Sequence, residues 1–321
     1  MEQRSICCVC EKPIEGEPMR IGNRLYCGND YTKVTRNRRS LWWASLVGIV
    51  VLVVFVVLAT LIFQAVYPQL EESGAVPYVG VIIALVPAVI WLIFFYLQDV
   101  REPEPKGLVG GVFLLGALVA QAVGIPLIQQ VFRTPQWLST SPAGLHLLGA
   151  ILIPGFIDMF LIYAVVRYTV YNAAEFDERV DGIVYATAAA LGYATVVNIH
   201  LVQDVVQAGS MRPAPVVLGV AESTMALAAF GGILGFFLGR CKFEDEPVWW
   251  MPAGLALVAV LDGLYTFFLN WVTAPTLSLQ GSTDKSWIGL LLGVVVAGLT
   301  FAVLFILIRR LGRQAPQAGE P

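Results

Sequence analysis

Two sets of residues in this 321-residue chain have the types and spacing that chemistry needs. The first is Cys7-x-x-Cys10 followed, after sixteen residues, by Cys27-x-x-Asp30. Two such tight turns each offer a pair of ligands to one tetrahedral Zn²⁺, and Asp is an acceptable fourth ligand. Four protein ligands leave no open position, so a metal held here is structural rather than catalytic. Cys8 has poorer spacing, and the plain alternative is a group of reduced thiols with no metal. The second set is Asp158, Asn198 with His200, Glu222 and Asp262, each within a long apolar stretch. Ionisable groups in such stretches face a bundle interior or a cavity. Gathered in one chamber they would offer carboxyls to a water molecule, and an aspartyl pair sharing a proton is one known way to activate it. The plain alternative is that each is satisfied separately by a helix–helix hydrogen bond.

The elements that must carry these residues follow from composition. The chain is 57% hydrophobic and 13% charged, with a net charge of −3. A soluble domain carries about 25% charged residues, so a soluble globule, a disordered chain and a disulfide-rich secreted module are excluded. The reading is an all-α polytopic membrane protein. Eight segments suffice to cross a hydrocarbon core of about 30 Å, which takes roughly 20 helical residues. They lie near 41–67, 77–98, 107–132, 143–168, 182–207, 214–239, 248–273 and 287–308. Backbone polar groups in lipid must be paired internally, so each span is a helix. The first, uncharged from Leu41 to Val66, begins too late and runs too long for a cleaved signal peptide.

Orientation follows from the basic residues. With the N-terminus inside, seventeen of the twenty Lys and Arg face the cytoplasm, and only Arg133, Arg212 and Lys285 lie outside. Both termini are therefore expected in the cytoplasm of a plasma-membrane protein, where thiols stay reduced. Residues 1–32 form a small cytoplasmic module, 33–40 a basic linker, 41–310 the eight-helix domain and 311–321 a disordered tail. The basic run from Lys33 to Arg39 reads as a topology anchor attracted to anionic lipid. Nothing suggests a nucleic-acid surface. The expected partners are the lipid bilayer, a single-span membrane protein, and a cytosolic protein at the module.

Within the module, Pro13, Gly16, Pro18 and Gly22 suit a short hairpin between the two cysteine turns. "CVCEKPI" followed by "YCGND" resembles half of a LIM-type, zinc-ribbon or treble-clef finger. A head this small lacks core enough to fold alone, so zinc would supply much of its folding energy. Gly231, Gly235 and Gly239 recur every four residues, a stripe that lets another helix approach closely. His146 reads as an interfacial residue and Cys241 as a lone loop thiol.

A resemblance appears at "FFYLQDVREPEP" (Phe94–Pro105). It continues at "EFDERVDGIVYATAAALGYATVVN" (Glu175–Asn198), "FGGILGFFLGRCKF" (Phe230–Phe243) and "LDGLY" (Leu261–Tyr265). These motifs resemble the PrsW family of intramembrane proteases, related to the CAAX protease superfamily, over a core spanning about 90–270. The family follows an early span with a loop ending in Glu-Pro-Glu-Pro. Later it has Asp-Gly-x-x-Tyr opening a helix that leads to Gly-Phe-Ala-x-x-Glu-Asn. The resemblance implies an intramembrane hydrolase with Glu and His residues gathered on four helices. It leaves open whether they bind a metal or act without one.

Carried over position by position, the family's paired Glu falls on Ile157 and Asp158, and the following Lys on Leu161. The Glu before Asn falls on Val197, with Asn198 kept. One His falls on Leu227, five residues after Glu222, and the other on Asp262. Val, Leu and Ile neither take a proton nor polarise a carbonyl. The expectation is therefore a pseudoprotease that binds or scaffolds transmembrane segments. The first alternative is an active peptidase that cleaves single-span signalling proteins through Asp158, Asn198, Glu222 and Asp262. The second is a transporter, although no inverted repeat is visible.

Overall fold

A computed structural model describes residues 6–7, 12–14, 16–21, 24–29, 31, 40–98, 105–138, 140–208, 212–277, 288, 291–296 and 298–300. Seven helices in it are long and apolar enough to cross a membrane. They are α1 (Ser40–Ser73), α2 (Val76–Gln98), α3 (Lys106–Val131), α4 (Ala143–Thr169), α5 (Asp181–Gln207), α6 (Pro213–Phe243) and α7 (Trp250–Leu277). The spans follow the hydropathy reading closely, with α1 continuing on to Ser73. The eighth expected span, 287–308, lies largely outside the described residues. Its described part is the apolar helix α8, Leu291–Thr300.

Two helices are interrupted by wider turns. Helix α3 is α-helical over Lys106–Val119 and then π-helical over Ala120–Gly124 and Pro126–Val131. Helix α4 is α-helical over Ala143–Ala150, π-helical over Ile151–Gly155, and α-helical again over Phe156–Thr169. Both interruptions contain a proline, Pro126 or Pro154. Proline lacks the N–H for the i→i−4 bond, and its ring collides with the carbonyl one turn back. A π turn relieves that collision by widening the ladder locally, and such turns are frequent at functional sites.

Helix α5 forms the centre and is buried on every side from Asp181 to Thr195. Its run of Ala and Gly lets neighbours approach to backbone distance. A Cβ at Gly231 of α6 would come 2.6 Å from the Ala190 Cβ and 3.0 Å from the Ala186 carbonyl oxygen, both on α5. Gly235 and Gly239 face Gly182 and Arg179 in the same way. The glycine stripe is thus the α5–α6 packing seam. Helix α5 begins at a polar cap, where the Glu178 backbone N–H donates to Asp181 Oδ2 at 2.5 Å. An acid there also suits the positive end of the helix dipole.

The loop before α5 is held from α6. The Lys242 ammonium donates to the Phe176 carbonyl at 2.5 Å and lies 4.5 Å from the Phe176 ring centroid. Beside it, Tyr171 packs under the Arg167 guanidinium at 4.0 Å. Burial pushes the Tyr171 phenol above its ordinary range, and Arg167 opposes that shift.

In the N-terminal module a two-stranded antiparallel hairpin pairs β1 (Met19–Ile21) with β2 (Arg24–Tyr26). The Cys7 backbone N–H donates to the Lys12 carbonyl at 2.9 Å, and an isolated bridge joins Ile6 to Pro13. Cys7 is fully buried, and a helical turn starts just after Cys27, with the Tyr31 N–H bonded to the Cys27 carbonyl. The expected hairpin is present between the two cysteine turns. Cys8, Cys10 and Asp30 lie outside the described residues, as do residues 33–39 of the basic linker and the 311–321 tail.

Candidate functional site

Asp158 sits on α4 one turn beyond the π-helical segment, and Asp262 sits on α7. Their helices cross at glycine. A Cβ at Gly155 would come 2.5 Å from the Ala259 carbonyl oxygen and 3.1 Å from the Gly263 backbone nitrogen, and Gly263 in turn lies against Ile151. Asp158 follows Gly155 by one turn, and Asp262 follows Ala259 by one turn. Residues three apart share a helix face, so the close crossing aims both carboxyls at one place. Asp158 and Asp262 are both buried and within electrostatic reach of each other.

The third member is Tyr193, fully buried on α5. Its hydroxyl donates to Asp158 Oδ1 at 2.5 Å and feels the charge of Asp262 as well. The hydroxyl fits because Gly124, in the first π turn of α3, has no side chain where the oxygen lies. Two proline-associated π turns and three glycines therefore build one polar centre from four helices.

The other expected site residues lie around this centre in separate settings. Asn198 is fully buried on α5, and its side-chain amide donates to Thr224 Oγ1 at 2.9 Å and to the Val220 carbonyl at 3.3 Å. Glu222 lies between Val220 and Thr224 in sequence, about 200° of helix rotation from each, so it points to the opposite side of α6. There it neighbours Tyr265 of α7 and Gly293 of α8. Tyr265 is the link between the groups, being within electrostatic reach of both Glu222 and Asp262. His200 pairs with Gln121 at 2.9 Å, and the His146 ring stacks edge-on against Phe267.

Tyr193 and Tyr265 were not singled out from the sequence. A tyrosine in an apolar helix reads as packing. The available signal for Tyr193 was the family pattern, because "LGYATVVN" has Tyr where that pattern has Phe.

Four other positions that the resemblance makes reactive have a different fate. Ile157, Leu161 and Leu227 are buried in a single hydrophobic cluster, and Val197 packs against it. That cluster adjoins the acid pair through Ile157, next to Asp158 in sequence.

These features define an all-α polytopic membrane protein with a buried acidic centre between its spans. The family described as "PrsW family intramembrane metalloprotease" matches residues 104–296, and the chain belongs to that family. Among its relatives, Protease PrsW of Geobacillus kaustophilus is 32% identical over 237 residues, 73% of this chain and 93% of the relative. Protease PrsW of Bacillus subtilis is 31% identical over 195 residues, 59% of this chain and 83% of the relative. Protease PrsW of Halalkalibacterium halodurans is 30% identical over 188 residues, 58% of this chain and 81% of the relative. No solved structure matches.

The family description implies a metal. A catalytic zinc takes three protein ligands and an open position. The polar centre offers the carboxyls of Asp158 and Asp262 and a tyrosine hydroxyl already committed to Asp158. No group of three His, Cys, Asp or Glu suited to a metal occurs among the described residues. Two carboxyls and a committed hydroxyl do not fit a catalytic metal.

Proposed function

We propose that this chain binds transmembrane segments of other membrane proteins and does not cleave them by the glutamate–histidine chemistry that its family's motif implies. One observation carries this reading: Ile157, Leu161, Val197 and Leu227, four of the positions to which the resemblance carries the family's reactive residues, pack into or against a hydrophobic cluster. Apolar side chains at those positions offer no base for a water. The experiment uses the full chain in proteoliposomes with photo-reactive single-span peptides. The expected result is crosslinking without cleavage. Crosslinks to lipid alone would overturn the binding role.

A second reading has its own support in the Tyr193–Asp158 bond beside Asp262. Two carboxyls within mutual reach suit a general acid–base pair acting on a water. Cleavage by the wild type that is lost in both Asp158→Asn and Asp262→Asn would favour this reading over the first.

The N-terminal module is proposed to hold one structural Zn²⁺ through Cys7, Cys10, Cys27 and Asp30, and to recruit a cytosolic protein. The buried Cys7, the hairpin and the turn after Cys27 support it. Both termini are proposed to face the cytoplasm, on the strength of the basic-residue bias.

A further inference from the structure

The outer face of α4 carries a row of side chains that the polar centre does not use. Phe156, Phe160, Tyr163 and Arg167 recur at helical spacing and fall within about 60° of arc. Phe156 is 44% exposed and Phe160 41% exposed, so this face looks out of the bundle. The Phe156 and Phe160 rings stack with centroids 5.7 Å apart, and Phe160 meets Tyr163 at 6.2 Å. The row ends on the Arg167 guanidinium, 4.0 Å over the ring of Tyr171 just beyond the helix. By contrast, α1 and α3 turn Val, Leu and Ile outward.

Arg167 differs from the other cations at this end of the bundle. Arg179 pairs with Glu244, and Arg240 pairs with Glu244 and Glu246. The Lys242 ammonium is taken up by the Ala173 and Phe176 carbonyls. Arg167 makes no ion pair among the described residues. Stacking on Tyr171 engages the flat face of the guanidinium and leaves its in-plane N–H donors for another partner. The Tyr171 hydroxyl is in reach of one donor, and a parallel pair remains. Such a pair fits two oxygens of a phosphate. Lys242 approaches the same ring at 5.6 Å, so the ammonium of a zwitterionic headgroup would meet two cations there. The acids within reach of Lys242 are Asp177 and Asp181, and Asp181 is committed to the α5 cap.

The length of the row also points to a lipid. The eleven residues from Phe156 to Arg167 make about 16 Å of helix, and one leaflet's half of the hydrocarbon core is about 15 Å. The guanidinium sits at the headgroup end and the rings run along one leaflet. Basic pockets between spans bind anionic headgroups. We propose that Arg167 and Tyr171 hold the phosphate of an anionic phospholipid, with one acyl chain lying along Tyr163, Phe160 and Phe156. The site stands independently of the function proposed above. It lies in the leaflet reached by the C-terminal end of α4.

The test places the full chain in nanodiscs of equal parts phosphatidylglycerol and phosphatidylcholine, with a photo-reactive group on the acyl chain of one lipid or the other. Crosslinks mapped to residues 156–163 are expected to favour phosphatidylglycerol about fivefold, the effect of one basic residue at a bilayer surface. Arg167→Gln should erase that preference. Arg179→Gln removes the same charge at the same end of the bundle and should keep it. Raising the salt should weaken the preference in wild type, a readout that needs no variant. Replacing chloride by inorganic phosphate at fixed ionic strength should leave it unchanged. Its loss there would assign the guanidinium to free phosphate and overturn the lipid site. Equal crosslinking of both lipids by wild type, insensitivity to salt, or equal losses in Arg179→Gln and Arg167→Gln would also overturn it.

Discussion

The Tyr193 hydroxyl donates to Asp158 Oδ1 at 2.5 Å across the α4–α5 contact, with Asp262 of α7 in reach of both. Tyr193 and Asp158 depart together from the family's motif, which has Phe and Glu at those places. A carboxyl shortened by one methylene is met by a ring that has gained a hydroxyl. Side by side, they account for how a buried acid is satisfied between apolar helices.

That unit can be measured. Tyr193→Phe leaves Asp158 short of its donor and should lower stability by about 1–3 kcal/mol. Asp158→Leu should remove the dependence, so that adding Tyr193→Phe to it costs markedly less than in the wild-type background. Thermal or denaturant melts of the four proteins in one detergent check this. Additive losses would show that the hydroxyl and the carboxyl do not share an energetically meaningful bond.

The Gly155 crossing gives a prediction with an internal control. A Cβ at Gly155 would meet the Ala259 carbonyl oxygen at 2.5 Å, while a Cβ at Gly110 would meet nothing within 4 Å. Gly155→Ala should therefore force α4 from α7 and cost about 1–3 kcal/mol, as overpacking does. Gly110→Ala should be neutral or stabilising by up to about 1 kcal/mol through helix propensity. A lower melting temperature than wild type is expected for Gly155→Ala, and an equal or higher one for Gly110→Ala. Equal losses would mean that the crossing is not what sets stability at 155.

Much of the fold was legible because hydropathy writes membrane spans directly into sequence. The glycine stripe at 231, 235 and 239 likewise announced a packing seam before its partner helix was known. The polar centre was legible only in part. Asp158 and Asp262 stood out as acids in apolar stretches, but their meeting depends on the π turn at Ile151–Gly155 and on which face each helix turns inward. Spacing alone does not fix that register. Asn198 and Glu222 look like members of the same set by depth. Yet the rotation of α6 sends Glu222 toward α7 and α8, while Val220 and Thr224 hold Asn198. Depth is a one-dimensional reading, and a chamber is a three-dimensional property.

The loop before α5 should depend on one cation. Lys242 donates to the Phe176 carbonyl and packs on the Phe176 ring. Lys242→Met keeps the aliphatic stem and removes the ammonium. Hydrogen exchange over residues 170–180 should rise several-fold, which corresponds to about 1 kcal/mol of lost local stability. Glu244 instead makes half-exposed pairs with Arg179 and Arg240. Such pairs contribute about 0–1 kcal/mol, so Glu244→Gln should change the loop's exchange less than Lys242→Met does. A larger effect from Glu244→Gln would put the anchor on the wrong side chain.

The N-terminal module gives a prediction about metal that does not depend on the bundle. A head of about 32 residues, with one hairpin of two three-residue strands, is too small to hold its shape by burial alone. Metal binding would supply the missing free energy, because the liganded state exists only when folded. Purified full-length protein should contain about one zinc per chain, the stoichiometry of a four-ligand structural site. Cys7→Ser and Cys27→Ser should each lose the metal, whereas Cys8→Ser, one position off the knuckle spacing, should keep it. Chelation should raise hydrogen exchange across Met19–Tyr26 and leave exchange in α5 unchanged, since the two parts are stabilised by different means. Equal zinc content in Cys7→Ser and Cys8→Ser, or no zinc in the wild type, would remove the metal from the module. The hairpin would then have to be held by contacts of buried Cys7 and Tyr26 alone.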